Sequence, residues 1–285
     1  MAYRYMADCH SHSDCSFDAV DSMEAMCAQA EKMGLAYYTI TDHCECDQYD
    51  GSLYFEGKKY SDVIRNSYAQ LLENQKRFPN LRLLRGIELG QPLQGLASAE
   101  DALKDREYDF VIGSLHNIAA EQDFYWLNPE SFTPEKLDIV FKSYFREILE
   151  MLEWGKFDTL AHITYPLRYL CKAGERPNFA KYQDLVDAVF QKIIADGKAL
   201  EFNTSRILRK NAPVLPDREL FTRYKELGGT RITLGADAHN TDSIASGIKE
   251  ALDMLREIGF TEYTVFIDRK PVQIPIEYIP DGEKE

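Results

Sequence analysis

The chain has 285 residues, 45% hydrophobic and 28% charged, which suits one large α/β domain or two small ones. Its formal charge of −14 repels phosphate backbones and no Lys/Arg-rich stripe offsets it, so nucleic acid is not an expected partner. No apolar run approaches the roughly twenty residues of a membrane span, and residues 1–5 lack the layout of a signal peptide. Six unevenly spaced cysteines (Cys9, Cys15, Cys27, Cys44, Cys46 and Cys171) then argue for a reducing cytoplasm over a disulfide framework.

Short apolar runs alternate with helical patterns along the chain. A first strand over 3–9 runs into His10-Ser11-His12. Asp21-x-x-Glu24 predicts a capped helix with Met26, Ala30 and Met33 as its stripe and Gly34 as its stop. A second strand over 36–41 ends in Asp42-His43. The stretch 44–59, rich in acids and tyrosine, reads as a flap or a solvated loop, and its Glu45 or Asp47 suits a cationic substrate group. The third strand, 81–87, leads to Glu88, and the fourth, 110–115, to His116. Thr133-Pro134-Glu135 opens a helix that carries Leu137, Val140, Phe141, Tyr144, Ile148 and Leu152 and closes at Gly155. A fifth strand over 159–161 meets His162, and a helix over 178–196 stops at Gly197. The sixth strand, 199–202, leads to Asn203, and the seventh, 231–236, to Asp237-Ala238-His239. A helix over 244–258 stops at Gly259. Seven strand–helix units predict a closed or nearly closed parallel barrel forming a single domain over 1–285. An open doubly wound sheet is the alternative, but no G-x-G-x-x-G follows the first strand.

Any one of the six histidines alone is more readily a structural residue than a ligand. Together, all six fall at or just beyond a predicted strand C-terminus, where barrel active sites are built. His10-x-His12 puts two imidazoles on one face by the period-two rule, and Asp237-x-His239 repeats that with a carboxylate. Imidazole with carboxylate suits Zn, Mn or Fe better than Mg or Ca. The candidate ligands outnumber what one tetrahedral ion uses, so the centre is read as multinuclear with Glu88 as the bridge.

The series His-x-His, Asp-His, Glu, His, His and Asp-x-His resembles the polymerase and histidinol phosphatase (PHP) family, and within it the monofunctional histidinol-phosphate phosphatases. The resemblance covers nearly the whole chain. It implies a distorted (β/α)7 TIM-like barrel with two to three divalent transition-metal ions. One ion is implied on His10, His12, Glu88 and Asp237, a second on Glu88, His116 and His162, and a third on Asp18, His43 and His239. Many family members carry histidine where Asp18 stands; aspartate is also a competent ligand. Amidohydrolases share the opening His-x-His but usually bridge with a lysine after the fourth strand, where this chain reads Ser-Leu-His-Asn. The implied reaction is hydrolysis of the phosphomonoester L-histidinol phosphate by a hydroxide that the ions supply, giving histidinol and phosphate.

Arg168 and Arg206 follow the fifth and sixth strands, and a guanidinium fork matches phosphate oxygens. Spacing alone leaves them equally readable as surface residues, and the resemblance favours a phosphate clamp. With Asp237 and His239 they form the catalytic set; Asp237 or a metal-held water would protonate the leaving oxygen. The clamp arginines are expected to leave metal content untouched. Asn203 is read as supporting the ligands from behind, Glu201 as structural, and the cysteines as bystanders. A phosphoesterase acting on nucleotides and a non-catalytic metal-stabilised domain are the other readings.

Overall fold

Ten strands alternate with eight helices in the computed structural model, which describes residues 3–48, 60–170, 179–210 and 212–279. Cys171, position 178 and most of the stretch 44–59 lie outside the described residues. The strands are β1 (Ala7–Asp8), β2 (Tyr37–Ile40), β3 (His43–Glu45), β4 (Leu83–Gly90), β5 (Phe110–Ser114), β6 (Thr159–Leu160), β7 (Ala199–Asn203), β8 (Ile232–Gly235), β9 (Glu262–Ile267) and β10 (Lys270–Pro275). Seven of them pair in parallel in the order β1-β2-β4-β5-β6-β7-β8, a nearly closed barrel as expected. The eight residues of β4 are shared: β2 pairs with Leu83–Arg85 and β3 with Glu88–Gly90. Thr41 and Asp42 fall in the gap, where Thr41 N donates to Ser11 O and Asp42 O accepts from Glu88 N.

Between β8 and β1 the barrel closes through a few bonds at one end. Cys9 N donates to Leu234 O, Asp237 N to His10 O, and His12 N to Ala238 O, each at 2.8 Å. The first strand is accordingly shorter than expected: Tyr3 bridges antiparallel to Tyr278, while residues 9–12 turn to the 234–238 segment.

The helices are α1 (Met23–Met33), α2 (Tyr60–Arg77), α3 (Leu96–Leu103), α4 (Pro134–Trp154), α5 (Pro166–Leu170), α6 (Gln183–Ala195), α7 (Arg218–Glu226) and α8 (Ile248–Ile258). Helix α4 begins where expected: Thr133 Oγ1 accepts from Lys136 N and Gly155 ends it at φ 67°. Its buried face, Val140, Phe141, Tyr144, Phe145, Ile148, Met151 and Leu152, follows the three-to-four-residue rhythm of a helix on a core. Burying each large apolar side chain there stabilises by about 1.5–3 kcal/mol.

Three boundaries differ from expectation. Helix α1 is capped by Ser22, whose Oγ accepts from Ala25 N, and not by Asp21. Asp21 reaches across the seam to take the N–H and hydroxyl of Thr241. Helix α8 starts at Ile248, because Ala245 (φ 55°) and Gly247 (φ 78°) turn the chain left-handed before it. The expected helix over 178–196 is a 3₁₀ turn, Phe179–Tyr182, followed by α6.

The hairpin β9–β10 was not anticipated. It packs under the N-terminal ends of the barrel strands, where Arg269 pairs with Asp158 at 2.5 Å and Arg269 N donates to Asp109 O. Among the described residues no helix is long and apolar enough to cross a membrane.

Candidate metal centre and its cavity

At the other end of the barrel the strand ends converge on Glu88, which lies inside β4 and is fully buried. Its Oε1 is 3.2 Å from His162 Nε2 and 3.3 Å from His116 Nε2. Its Oε2 is 2.8 Å from His43 Nδ1, 3.4 Å from His10 Nε2 and 3.7 Å from His12 Nε2. One carboxylate therefore faces five imidazoles, contributed by four separate strand ends besides its own. Asp237 closes the opposite side, with Oδ1 3.4 Å from His12 Nε2 and 3.7 Å from His10 Nε2. Asp18 stands further out, 3.1 Å from His239 Nε2 and 3.7 Å from His43 Nε2.

All nine expected ligands thus meet in one place. Their tightest groups are His10–His12–Asp237, His43–Glu88–His116 and His12–His43–His239. Each overlaps one of the expected groupings. His162 touches Glu88 as expected, but His43 joins Glu88 and His116 more closely.

The outward nitrogen of several rings is held by a partner. His10 Nδ1 meets Glu201 at 2.5 Å, His116 Nδ1 meets Glu45 at 3.0 Å, and His239 Nδ1 meets the Asp237 carbonyl at 2.9 Å. His12 Nδ1 meets Ser16 Oγ at 3.2 Å, and Ser16 in turn donates to Asp42 at 2.9 Å. An acceptor at Nδ1 keeps the proton there and turns the Nε2 lone pair inward. His10 Nε2 and His12 Nε2 are buried and hydrogen-bond to no protein group. Buried polar atoms are rarely left so, and two imidazole lone pairs facing two carboxylates fit a divalent transition-metal ion.

Burial works to raise the Glu88 and Asp237 carboxyls, but the surrounding imidazoles hold both well below the ordinary range. Asp18, against the same opposing effect of burial, is held at about 2 by His43 and His239. Burial, with His43 and His239 adding to it, pushes His12 down to about 3, which keeps that ring neutral.

Arg168, on α5, donates to Asp237 Oδ2 at 3.2 Å, to Asn203 Oδ1 and to Ser205 Oγ. Asn203 also donates to Asp237 Oδ2. Arg168 thus bonds to one of the expected ligands, where a clamp independent of the ligands was expected. Arg206 lies beside it, its guanidinium 6.0 Å from the Tyr169 ring centre. Glu201, read as structural, is bonded to His10, and its other oxygen accepts the His162 backbone N–H. Period two gave a signal for Glu45, which shares a strand face with His43 as His12 does with His10. Nothing in spacing marked Ser16.

A cavity of about 280 Å³ opens on His43, His116 and Asp18. Its lining includes five aromatic rings (Phe17, Tyr125, Trp126, Tyr165 and Tyr169) and the carboxylates of Glu45 and Asp123. A space of about 600 Å³ shares Phe17, Glu45, Asp123 and Trp126 with it and adds the acids Asp47 and Glu121. Burial raises the Asp47 and Asp123 carboxyls, and a cation beside them would favour their charged forms.

The PHP domain family model matches residues 8–205. The chain is similar to a Thermotoga maritima protein named "Probable histidinol-phosphatase", at 28% identity over 95% of this chain and 100% of that one. It is 24% identical to the histidinol-phosphatase of Lactococcus lactis subsp. lactis, over 92% and 95% of the two chains. Among solved structures, the Lactococcus lactis histidinol phosphate phosphatase complexed with zinc, L-histidinol and phosphate superposes with a TM-score of 0.76 at 23% identity, covering 94% of this chain and 98% of that one.

Proposed function

The chain belongs to the PHP domain family, and we propose that it is a histidinol-phosphatase, hydrolysing L-histidinol phosphate to L-histidinol and phosphate. The observation that carries the reading is the Glu88 carboxylate facing five imidazoles beside a cavity lined by aromatic and acidic side chains. The names of its full-length relatives and the zinc, histidinol and phosphate in the Lactococcus lactis structure support the substrate and the metal.

Two to three divalent ions, Zn, Mn or Fe, would be held by His10, His12, Asp18, His43, Glu88, His116, His162, Asp237 and His239. Such ions acidify water and neutralise phosphoryl oxygens. The protein's own part is to orient and enclose. Arg206 would meet the phosphoryl group with its guanidinium fork, and Arg168, bonded to Asp237, Asn203 and Ser205, would add its charge beside it. Asp237 and His239 would flank the reacting group; Asp237, held as a carboxylate, has no proton to donate to the leaving oxygen. Aromatic rings stack the leaving group's imidazole, and Asp47, Asp123 and Glu121 attract its ammonium. The acidic side also disfavours oligonucleotides, which bring further phosphates. Water replaces the ester oxygen on phosphorus, and the leaving alkoxide takes up a proton to become the alcohol.

The test is a rate comparison of the zinc-loaded protein on histidinol phosphate, a nucleoside monophosphate and a dinucleotide. Histidinol phosphate should be cleaved far faster than the monophosphate, with the dinucleotide intact. Equal rates on both monoesters would make the protein a general phosphatase, and no cleavage of any would favour a non-catalytic domain.

A further inference from the structure

We infer that Glu201 is a positioning residue that holds two histidines of the centre, His10 and His162, in register with each other. It sits on β7 inside the barrel, 1% exposed. One carboxylate oxygen is 2.5 Å from His10 Nδ1, and the other accepts the backbone N–H of His162 at 2.9 Å. His162 has a φ of 25°, a conformation that side chains beyond glycine rarely adopt, and the bond from Glu201 holds that turn. Held there, His162 Nε2 reaches Glu88 Oε1, while His10 Nε2 faces the other oxygen of the same carboxylate. A single side chain thus sets the spacing of ligands on both oxygens of Glu88.

The surroundings are built to admit it. A Cβ at Gly235 would stand 2.4 Å from His10 Cβ and 2.8 Å from Glu201 Oε1, so only glycine leaves room for the pair. Both groups that Glu201 meets are N–H donors, so both of its oxygens must accept. Glu201→Gln keeps the size but offers one acceptor and one donor. If the amide oxygen stays on His162, the NH₂ meets His10 Nδ1 and drives the ring proton to Nε2, the nitrogen needed inward. If the amide turns over, the strained turn at His162 loses its tie.

The inference rests on the metal reading proposed above, and its test follows the histidines without reference to substrate. In the zinc-loaded wild-type chain with ¹⁵N-labelled histidine, His10 should carry its proton on Nδ1 with a strongly downfield signal, and the His162 amide should resist exchange. In Glu201→Gln one of the two signatures should be lost, and competition against a chromophoric chelator should show zinc bound about 10- to 100-fold more weakly. The rate on histidinol phosphate should fall through kcat with KM little changed. Glu201→Asp keeps the charge but is one methylene short, and should recover at most one signature. Wild-type protein with zinc on His10 Nδ1 would overturn the inference even if both variants failed to fold. So would folded Glu201→Gln with both signatures and wild-type zinc affinity. Wild-type protein inert toward histidinol phosphate would count against the proposed substrate while leaving these signals in place.

Discussion

Glu88 meets five imidazoles and Asp18 only two, and the two carboxylates should respond differently to mutation. Glu88→Gln removes one charge and half the acceptor capacity at the point where the ligand groups meet. We expect more than one metal ion to be lost together, measured by elemental analysis of protein purified without chelator. Loss of a single ion, or none, would show that Glu88 does not bridge. Asp18 is 39% exposed at the rim, so Asp18→Ala should lower kcat and cost at most one ion while the fold persists. The two arginines should also part company. A charge-assisted contact to phosphate is worth about 1.5–3 kcal/mol, so either alanine variant should lose roughly 10- to 150-fold in kcat/KM. Arg168→Ala should in addition loosen metal at Asp237, which it supports. Arg206→Ala should leave metal content alone. Equal metal content in both variants would return Arg168 to the role of a pure clamp.

The strand ends that carry chemistry were legible in the sequence, because alternation on a strand and clustering at strand C-termini are strong local patterns. Tertiary partners were not: Ser22 won the cap over Asp21 only because Asp21 has Thr241 to serve from the far end of the chain. The hairpin escaped for a related reason. Its turn, Asp268-Arg269, has φ of 48° and 61°, a conformation usually signalled by Asn-Gly or Asp-Gly. Here the turn is held by the barrel floor, through Asp158 and Asp109. Arg269→Ala should therefore destabilise the protein by about 1–3 kcal/mol in denaturant titration, with kcat unchanged. A change in kcat without a change in stability would contradict that division. Asp109 belongs to the same floor. Burial raises its carboxyl, but bonds from Arg85 and from the Asp268 backbone outweigh it and leave it below the ordinary range. A depressed carboxyl contributes stability above the unfolded value and loses it as pH falls through the folded one. Asp109→Asn should thus be less stable than wild type at neutral pH, with the gap narrowing in acid. A gap of constant size across pH would rule out the charge as its cause.

At the scale of the whole molecule the barrel separates its tasks by end, with ion pairs and a hairpin at the N-terminal ends of the strands and the histidines at the C-terminal ends. Substitutions on the floor should change unfolding, and those at the mouth metal binding and turnover. The net charge of −14 follows the same logic, since bound cations would offset part of it. The seam between β8 and β1 adds a matter of timing. His10 and His12 leave the ribosome ahead of the rest of the barrel, yet Asp237 and Ala238, which grip their backbone, are made more than two hundred residues later. At about 5–20 residues per second that is a wait of roughly 10–45 s. For that interval the early histidines belong to an open arc with no far wall. The growing chain can hold a stray ion only loosely, and it gains its full grip on metal as the last barrel strand arrives.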